Sequence, residues 1–261
     1  MEKQTFVSDI WGICSPILLY YMLSLFFSPM LGAFFPALLL EEHAMWFLAT
    51  VNLLMLPIFL WMYGKDRIRY TGRMQKERIP AGKDVALVVA GAACLSRAAN
   101  LLIGLTPLPY FFPEYERISR SIYSCSLISQ IAASVIGASL LEEVLIRGLV
   151  YRRMRFIFRN PKIPMIISAL LFGMFHGNVV QGVYAFFMGL FFVQVYERYQ
   201  SLWFAILAHM AANMTSILLE HFTWLNEAAQ DPAIYLLQTT GFLLVGVFLW
   251  KVLSLSCSSK E

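Results

Sequence analysis

Long apolar segments separated by short polar loops follow one another along nearly the whole chain. An α-helix needs about 20 apolar residues to cross the hydrocarbon core of a bilayer, and most of these segments approach or exceed that length. They lie at 11–38, 44–63, 85–106, 124–150, 163–180, 181–197, 201–219 and 233–254. The pattern predicts an all-α fold, a polytopic membrane bundle of about eight transmembrane helices.

Two places in this pattern predict irregular helices. The first segment is overlong and contains Pro16, Pro29 and Pro36, so we expect it to kink or break. The fifth and sixth segments are close together and are joined by Gly177 and Asn178, a pair typical of turns. We therefore expect these two segments to form a tight helical hairpin.

Basic residues concentrate in two of the loops and predict the orientation of the chain. Short loops rich in Lys and Arg stay on the cytoplasmic side of a membrane. The two loops contain Lys65, Arg67, Arg69, Arg73, Lys76, Arg78 and Lys83, and then Arg152, Arg153, Arg155, Arg159 and Lys162. The opposite loops carry Glu41, Glu42, the mixed stretch 114–120, Glu220, Glu227 and Asp231. With eight spans, both termini are predicted to be cytoplasmic.

Composition excludes a soluble globular domain with a single anchor. Hydrophobic residues make up 59% of the 261 residues and charged residues only 14%, whereas soluble domains have about 25% charged residues. The net charge of +4 is explained by the cytoplasmic loops. We therefore expect the lipid bilayer as a partner and no nucleic acid.

Two adjacent carboxylates, Glu142 and Glu143, interrupt the fourth apolar segment. A charged side chain at the centre of a membrane helix costs about 2.5–3.5 kcal/mol on insertion scales. An ionisable residue at that depth is by default a candidate for function. The pair is therefore the starting point for locating a functional site.

Helical spacing gives the two acids different surroundings. Glu143 and Arg147 are four residues apart, with the acid first, which is the favourable order for an ion pair on one helix face. Glu142 points elsewhere and has no charge partner on its own helix. In the seventh segment, His209 and Asn213 are also four residues apart. We expect Glu143 to be structural and Glu142 to face the polar groups of other helices.

Two further positions complete the candidate cluster. Phe172 and His176 share a face of the fifth segment, so the ring can form a wall of the site and fix the imidazole. Taken singly, each polar residue has a plainer explanation, such as an interhelical hydrogen bond or a snorkelling arginine. In the third segment, Arg97 and Asn100 share a helix face. They either pack against other helices or line a cavity or substrate path.

Three motifs now resemble those of a known family. Glu142 to Arg147 reads EExxxR, Phe172 to His176 reads FxxxH, and His209 to Asn213 reads HxxxN. In this order, on three membrane segments, they look like the CPBP (Abi) family of type II CAAX prenyl endopeptidases and bacteriocin-processing proteins. The resemblance covers about residues 120–220, and no motif position departs from it.

The resemblance implies an intramembrane peptidase of the glutamate type. It assigns Glu142 as the general base that activates water and His176 as a residue that holds and polarises this water. His209 and Asn213 would stabilise the oxyanion. The supporting residues would be Glu143, Arg147 and Phe172. We therefore divide one integral membrane domain into N-terminal helices without a motif, a catalytic core and a C-terminal helix with its tail, at 1–119, 120–220 and 221–261.

A metal-dependent mechanism remains open, because many members of this family are labelled metalloproteases. Glu142, His176 and His209 would match a zinc site with two histidines and one glutamate. The HExxH helix is absent, however, and Asn213 is a better oxyanion donor than zinc ligand. We expect no cofactor, with zinc as the alternative.

The substrate class implied by the resemblance is a peptide or a lipidated peptide. CAAX-type processing, bacteriocin or peptide-signal maturation and self-immunity all fit, and the expected location is a bacterial plasma membrane. Two other classes stay open. A transporter also uses intramembrane acids and histidines, although no inverted repeat is evident. A non-catalytic immunity or scaffold protein could share the fold.

Overall fold

The structure is a computed structural model that describes residues 6–69, 82–222 and 231–255. Within these ranges all regular structure is helical and no strand occurs. The main helices are α1 (Phe6–Phe34), α2 (Ala44–Arg69), α3 (Gly82–Gly104), α4 (Glu114–Tyr123), α5 (Leu127–Ile157), α6 (Lys162–Phe175), α7 (Val179–Tyr199), α8 (Leu202–His221) and α9 (Pro232–Leu255). Short helical turns at Pro36–Leu39, Glu41–His43 and Leu108–Phe111 connect them. The all-α prediction is confirmed.

Six of the described helices are long and apolar enough to cross a membrane, namely α1, α2, α3, α7, α8 and α9. The pair formed by α4 and α5 passes the same test but is bent by 116°, so the number rises to seven if this pair is one span. Helix α6 has only 14 residues, or about 21 Å at 1.5 Å per residue. The predicted count of eight is therefore not confirmed.

The burial pattern is that of an integral membrane protein. Large apolar side chains such as Leu25, Phe26 and Leu237 are mostly exposed, while charged Glu143 and Arg147 are fully buried. In the most apolar stretches of α1 and α9, only 6% and 11% of the residues are buried within the protein. Because exposing such large apolar surfaces to water is unfavourable, we infer that these helices face lipid.

The orientation of the chain stays a prediction. Part of the first basic loop, including Arg73, Lys76 and Arg78, lies outside the described residues. Glu227 in an opposite loop also lies outside them. The structure therefore does not add to the charge argument for cytoplasmic termini.

Of the three prolines in the first predicted segment, two lie inside helix α1 and do not interrupt it, and the third follows the end of the helix. Helix α1 continues through Pro16 and Pro29 and stops at Phe34. Pro36 then occupies the first position of a short 3-10 turn, where a missing backbone N–H is tolerated. The expected break thus lies at the end of α1, because the third proline starts a new element.

The predicted hairpin between α6 and α7 is confirmed. Gly177 has φ of +69°, a left-handed conformation that glycine adopts without strain. Asn178 then caps α7, its Oδ1 accepting a hydrogen bond from the backbone N–H of Gln181 at 2.8 Å. At Gly173 an added Cβ would lie 2.7 Å from the carbonyl oxygen of Gly182, so the two helices approach through their backbones.

Helix α5 departs from regular α-helical geometry on both sides of the glutamates. The stretches Ile131–Ala138 and Val144–Tyr151 are π-helical, and one α-helical turn, Ser139–Glu143, separates them. Wide π turns are rare and occur often at functional sites. They are absent from the predictions because hydrophobic periodicity does not report them.

The buried core surrounds the second half of α5. Val144, Leu145 and Leu149 pack with side chains from α2, α6, α7 and α8. Helix α3 packs between α8 and α9 on the other side of the bundle. The glutamates of α5 are thereby enclosed by helices from both halves of the chain.

Candidate active site

A buried ion pair forms the fixed part of the site. Arg147 Nη1 donates to Glu143 Oε1 at 2.8 Å, and both side chains are fully buried. Arg147 Nη2 donates to the backbone carbonyl of Gly189 in α7 at 3.0 Å. The guanidinium lies over the Phe172 ring at 4.5 Å. The pairing predicted from spacing is confirmed, and it also joins α5 to α6 and α7.

His209 connects the two glutamates. Its Nδ1 lies 2.9 Å from Glu143 Oε1, and its Nε2 lies 3.9 Å from Glu142 Oε2. An ionised carboxylate only accepts hydrogen bonds, so Nδ1 carries a proton. The histidine was expected to face Glu142. It bonds Glu143 instead because helix packing brings α8 against both acids, a contact that spacing along α5 cannot predict.

Glu142 is the acid without a hydrogen bond. Its Oε2 is buried and has no hydrogen-bond partner within the described residues. Its side chain is 21% exposed, whereas that of Glu143 is fully buried. A buried carboxylate oxygen without a partner is costly. Glu143 Oε2 is likewise buried without a partner, so the two acids differ in that Glu143 accepts two hydrogen bonds through Oε1 and Glu142 accepts none within the described residues.

His176 lies at the C-terminal end of α6, close to the hairpin turn. Its Nδ1 is 2.9 Å from the backbone carbonyl of Phe172, which can only accept, so Nδ1 donates and Nε2 is left as an acceptor. The Phe172 ring meets His176 and His209 edge-on, at centroid distances of 5.0 and 5.4 Å. Phe172 thus fixes both imidazoles, as expected for His176.

Asn213 binds the first π-helical stretch of α5 and does not bond either glutamate. Its Nδ2 donates to the carbonyl of Ser134 at 2.8 Å and to Ser139 Oγ at 3.3 Å. Ser139 Oγ itself donates to the same Ser134 carbonyl at 3.2 Å. The amide therefore joins α8 to α5 one helical turn before the acids.

Two aromatic residues of the site were missed. Phe192 stacks on His209 with a centroid distance of 4.8 Å and an angle of 22°, although the stretch 186–193 has ordinary apolar composition. Tyr20 of α1 packs against Phe175 with a ring-centroid distance of 4.7 Å. No sequence signal separates either residue from other aromatic positions, because neither belongs to a motif.

A preformed set of zinc ligands is absent from the described part of the chain. Both histidines engage Nδ1 and leave Nε2 free, an arrangement that metal ligands share. However, no group of three or more His, Cys, Asp or Glu side chains in the described part of the chain could hold a metal ion. The candidate ligands Glu142, His176 and His209 do not form such a group, so no chemical step below runs through a metal.

A polar cavity of ≈ 630 Å³ lies between α3, α4 and α8. Arg97 and Asn100 line it, as one of the alternatives anticipated. They also pack: Arg97 Nη2 donates to Gln238 at 3.0 Å, and Asn100 Nδ2 donates to Ser216 Oγ at 3.1 Å. Ser216 follows Asn213 by three residues, so the cavity reaches the face of α8 that carries the motif.

Comparison with known proteins gives one match. Residues 124–215 match the family model described as Type II CAAX prenyl endopeptidase Rce1-like. Searches of curated proteins and of solved structures found no significant match. The matched family is a protease family, which supports peptidase activity and a peptide substrate.

The matched segment includes every residue of the candidate site that motif spacing singled out. It begins just before α5 and ends in α8, so it contains the three helices that carry the motifs. The chain is thus a multi-pass membrane protein, and its segment 124–215 matches the model of the Type II CAAX prenyl endopeptidase Rce1-like family.

Proposed function

We propose that the protein is an intramembrane endopeptidase in which Glu142 activates a water molecule. The observation that carries the proposal is the contrast between the two acids. Glu143 accepts hydrogen bonds from Arg147 and His209 through its Oε1, although its Oε2 is buried without a partner within the described residues. Glu142 accepts no hydrogen bond within the described residues, and its side chain is partly exposed. A carboxylate with an unused oxygen beside an imidazole has the geometry of a general base.

The charges around Glu142 support proton transfer. With Arg147 and His209 cationic and both glutamates ionised, the four side chains sum to zero net charge. When Glu142 takes a proton from water, the hydroxide attacks the peptide carbonyl carbon, and negative charge passes to the carbonyl oxygen. Cleavage of the C–N bond then returns the proton from Glu142 to the leaving amine. While Glu142 is protonated, the four side chains carry a net charge of +1, which the negative charge on the carbonyl oxygen of the substrate balances.

His176 is proposed to position the attacking water. Because its Nδ1 is held by the Phe172 carbonyl, its Nε2 can accept a hydrogen bond from that water. The edge-on Phe172 ring restricts rotation of the imidazole. A fixed acceptor beside the base lowers the entropy cost of the attack.

The oxyanion is proposed to be stabilised from α8. His209 protonated on both nitrogens would donate from Nε2, with its charge compensated by Glu143. Asn213 would contribute one N–H by giving up its longer, 3.3 Å bond to Ser139, since Ser139 keeps its own bond to the Ser134 carbonyl. Donors placed at a developing oxyanion act strongly where water is scarce.

The proposed substrate is a lipidated, CAAX-type peptide, with bacteriocin or signal-peptide precursors as the alternative class. The protein is proposed to act in a bacterial plasma membrane. A substrate with a lipid group can approach from the bilayer, and the peptide portion can occupy the polar cavity next to α8. The reaction is proposed to need no cofactor.

A cleavage assay tests this proposal with a farnesylated peptide ending in a CAAX sequence, incubated with purified protein in detergent. Glu142→Gln keeps the shape of the side chain but removes the base, so we expect cleavage to fall at least about 100-fold. Thermal unfolding should be unchanged or improved, since the amide replaces a poorly paired carboxylate. Glu42→Gln, which changes an acid whose side chain is 73% exposed, is the matched control.

Other results would point to the rival functions. Equal cleavage by wild type, Glu142→Gln and His209→Ala would eliminate the glutamate mechanism. If a chelator abolishes activity and added zinc restores it, the zinc-dependent version is correct. A biological effect that persists in Glu142→Gln without any proteolysis would instead favour a scaffold, immunity or transport role.

A further inference from the structure

A second, basic cavity lies at the opposite end of α5 from the first. It has a volume of ≈ 310 Å³, the lower end of the usual range for small-molecule sites. The C-terminal parts of α5 and α7 form its walls. The residues that line it are Tyr151, Arg152, Arg155, Phe156, Phe158, Arg159, Tyr196, Glu197 and Gln200.

The lining carries more positive than negative charge. Arg152, Arg155 and Arg159 all face the cavity, and Glu197 is its acid. Arg155 Nε lies 3.6 Å from Glu197 Oε1, and the Tyr151 hydroxyl donates to the same oxygen at 2.7 Å. Glu197 is therefore already used by Arg155, and two arginines remain without a compensating carboxylate in the cavity.

Arg152 is the unusual member of this set. It is only 5% exposed, and its Nε is buried without a hydrogen-bond partner within the described residues. Its guanidinium contacts the face of the Tyr63 ring at 5.6 Å. A buried guanidinium without an ion-pair partner is unfavourable. An anionic ligand in the cavity would remove this cost.

The cavity lies at one boundary of the membrane-spanning bundle. Next to Arg152, Arg153 bonds Asp66 at the end of α2 and the Gly12 carbonyl near the start of α1. Arg198 donates to the carbonyls of Val252 and Leu253 at the end of α9. Helix ends therefore lie together at this level, ten residues along α5 from Glu142.

We propose that this cavity is a binding site for the phosphate group of an anionic phospholipid. Arginine forks bind phosphate oxygens in pairs, and basic pockets between membrane helices are typical lipid-headgroup sites. Phe156 and Phe158 at the cavity provide apolar surface for the start of an acyl chain. The site is independent of the proposed peptidase function, because no residue of the glutamate cluster takes part.

Native mass spectrometry of the full-length, detergent-solubilised protein tests the proposal. Dioleoyl phosphatidylglycerol and dioleoyl phosphatidylcholine are titrated separately, and the fraction of lipid-bound protein gives each affinity. We expect the anionic lipid to bind about five- to tenfold more tightly than the zwitterionic one. Arg152→Gln should reduce the affinity for phosphatidylglycerol by about the same factor, because it removes the buried charge.

Two further variants keep the result decisive. Lys162→Gln removes a charge from the neighbouring exposed surface, outside the cavity lining, and should leave binding unchanged. If Arg152→Gln fails to fold, Arg159→Gln at the exposed rim should still weaken binding severalfold. Equal binding by the arginine variants and Lys162→Gln would overturn the proposal.

Inorganic phosphate distinguishes the source of the anion. Thermal unfolding is followed with phosphate alone, with sulfate as the comparison anion, and with phosphatidylglycerol. Stabilisation by the lipid but not by phosphate supports a headgroup site. Stabilisation of wild type by phosphate as strong as that by the lipid, and lost in Arg152→Gln, would replace the lipid by a free phosphate compound.

Discussion

The chain contains the same glutamate–arginine pair in two very different environments. Glu116 and Arg120 are four residues apart on α4, with Arg120 Nη2 at 2.7 Å from the carboxylate and side chains 67% and 75% exposed. Glu143 and Arg147 have the same spacing and a similar distance of 2.8 Å, but neither is exposed. Solvent therefore screens the first pair, while the second depends on its own contacts.

This contrast predicts different costs for removing one partner. Arg147→Met leaves the carboxylate of Glu143 buried without its cation, so we expect a loss of about 3–5 kcal/mol in the free energy of unfolding. Arg120→Met, the matched control, should cost less than about 1 kcal/mol. Reversible unfolding in mixed detergent micelles measures both. Similar losses for the two variants would show that Arg147 is not a structural partner of Glu143.

At the scale of helices, the geometry of α5 and of the α6–α7 hairpin places the catalytic groups. Two π-helical stretches surround the turn that carries the acids, and Asn213 donates a hydrogen bond to the carbonyl of Ser134 in the first of them. The hairpin places His176 at the end of α6. Backbone contact between Gly173 and Gly182 sets the distance between α6 and α7.

Substitution of Gly173 by alanine tests this close approach. The new Cβ would lie 2.7 Å from the Gly182 carbonyl oxygen, so the helices must separate, at a cost of about 1–3 kcal/mol. His176 would move with α6, and peptide cleavage should fall as well.

Gly241→Ala in α9 is the matched control for this test. No atom lies within 4 Å of the added Cβ at Gly241, and alanine in a helix is favoured over glycine by about 0.5–1 kcal/mol. The thermal midpoint of this control should therefore stay the same or rise. A Gly173→Ala variant as stable and active as the control would contradict the role of the glycine contact.

At the scale of the whole molecule, the N-terminal helices belong to the same bundle as the matched segment. Arg153 of α5 binds Asp66 of α2 through two hydrogen bonds, at 2.6 and 3.1 Å, and donates to the Gly12 carbonyl of α1 at 2.6 Å. Tyr20 of α1 packs against Phe175 beside the site. Helices without a recognisable motif thus support the candidate active site.

Loss of the Asp66 charge should weaken this connection. Asp66→Asn keeps the side-chain size but removes the charge-assisted pair with Arg153, whose side chain is 13% exposed. We expect the free energy of unfolding to fall by about 1.5–3 kcal/mol. Glu42→Gln, at a side chain 73% exposed, should change it by less than about 0.5 kcal/mol. Equal stability of both variants would show that α1 and α2 are held by apolar packing alone.

The sequence by itself determined the helical membrane fold, the candidate residues and the pairing of Glu143 with Arg147. These follow from apolar segment length and from the 3.6-residue period, which act within one helix. The hairpin at Gly177 was also predictable, because a glycine–asparagine pair between apolar segments marks a turn.

Only the tertiary structure decided which helices meet and through which atoms. In the structure, His209 is hydrogen-bonded to Glu143, Asn213 donates to the Ser134 carbonyl, and the Phe192 ring stacks on the His209 imidazole. It also reduces the fifth predicted span to a 14-residue helix. Contacts between helices depend on packing of residues far apart in the chain, which no local pattern records. For the glutamate pair, spacing alone therefore found the ion pair, and packing left Glu142 as the acid without a hydrogen bond.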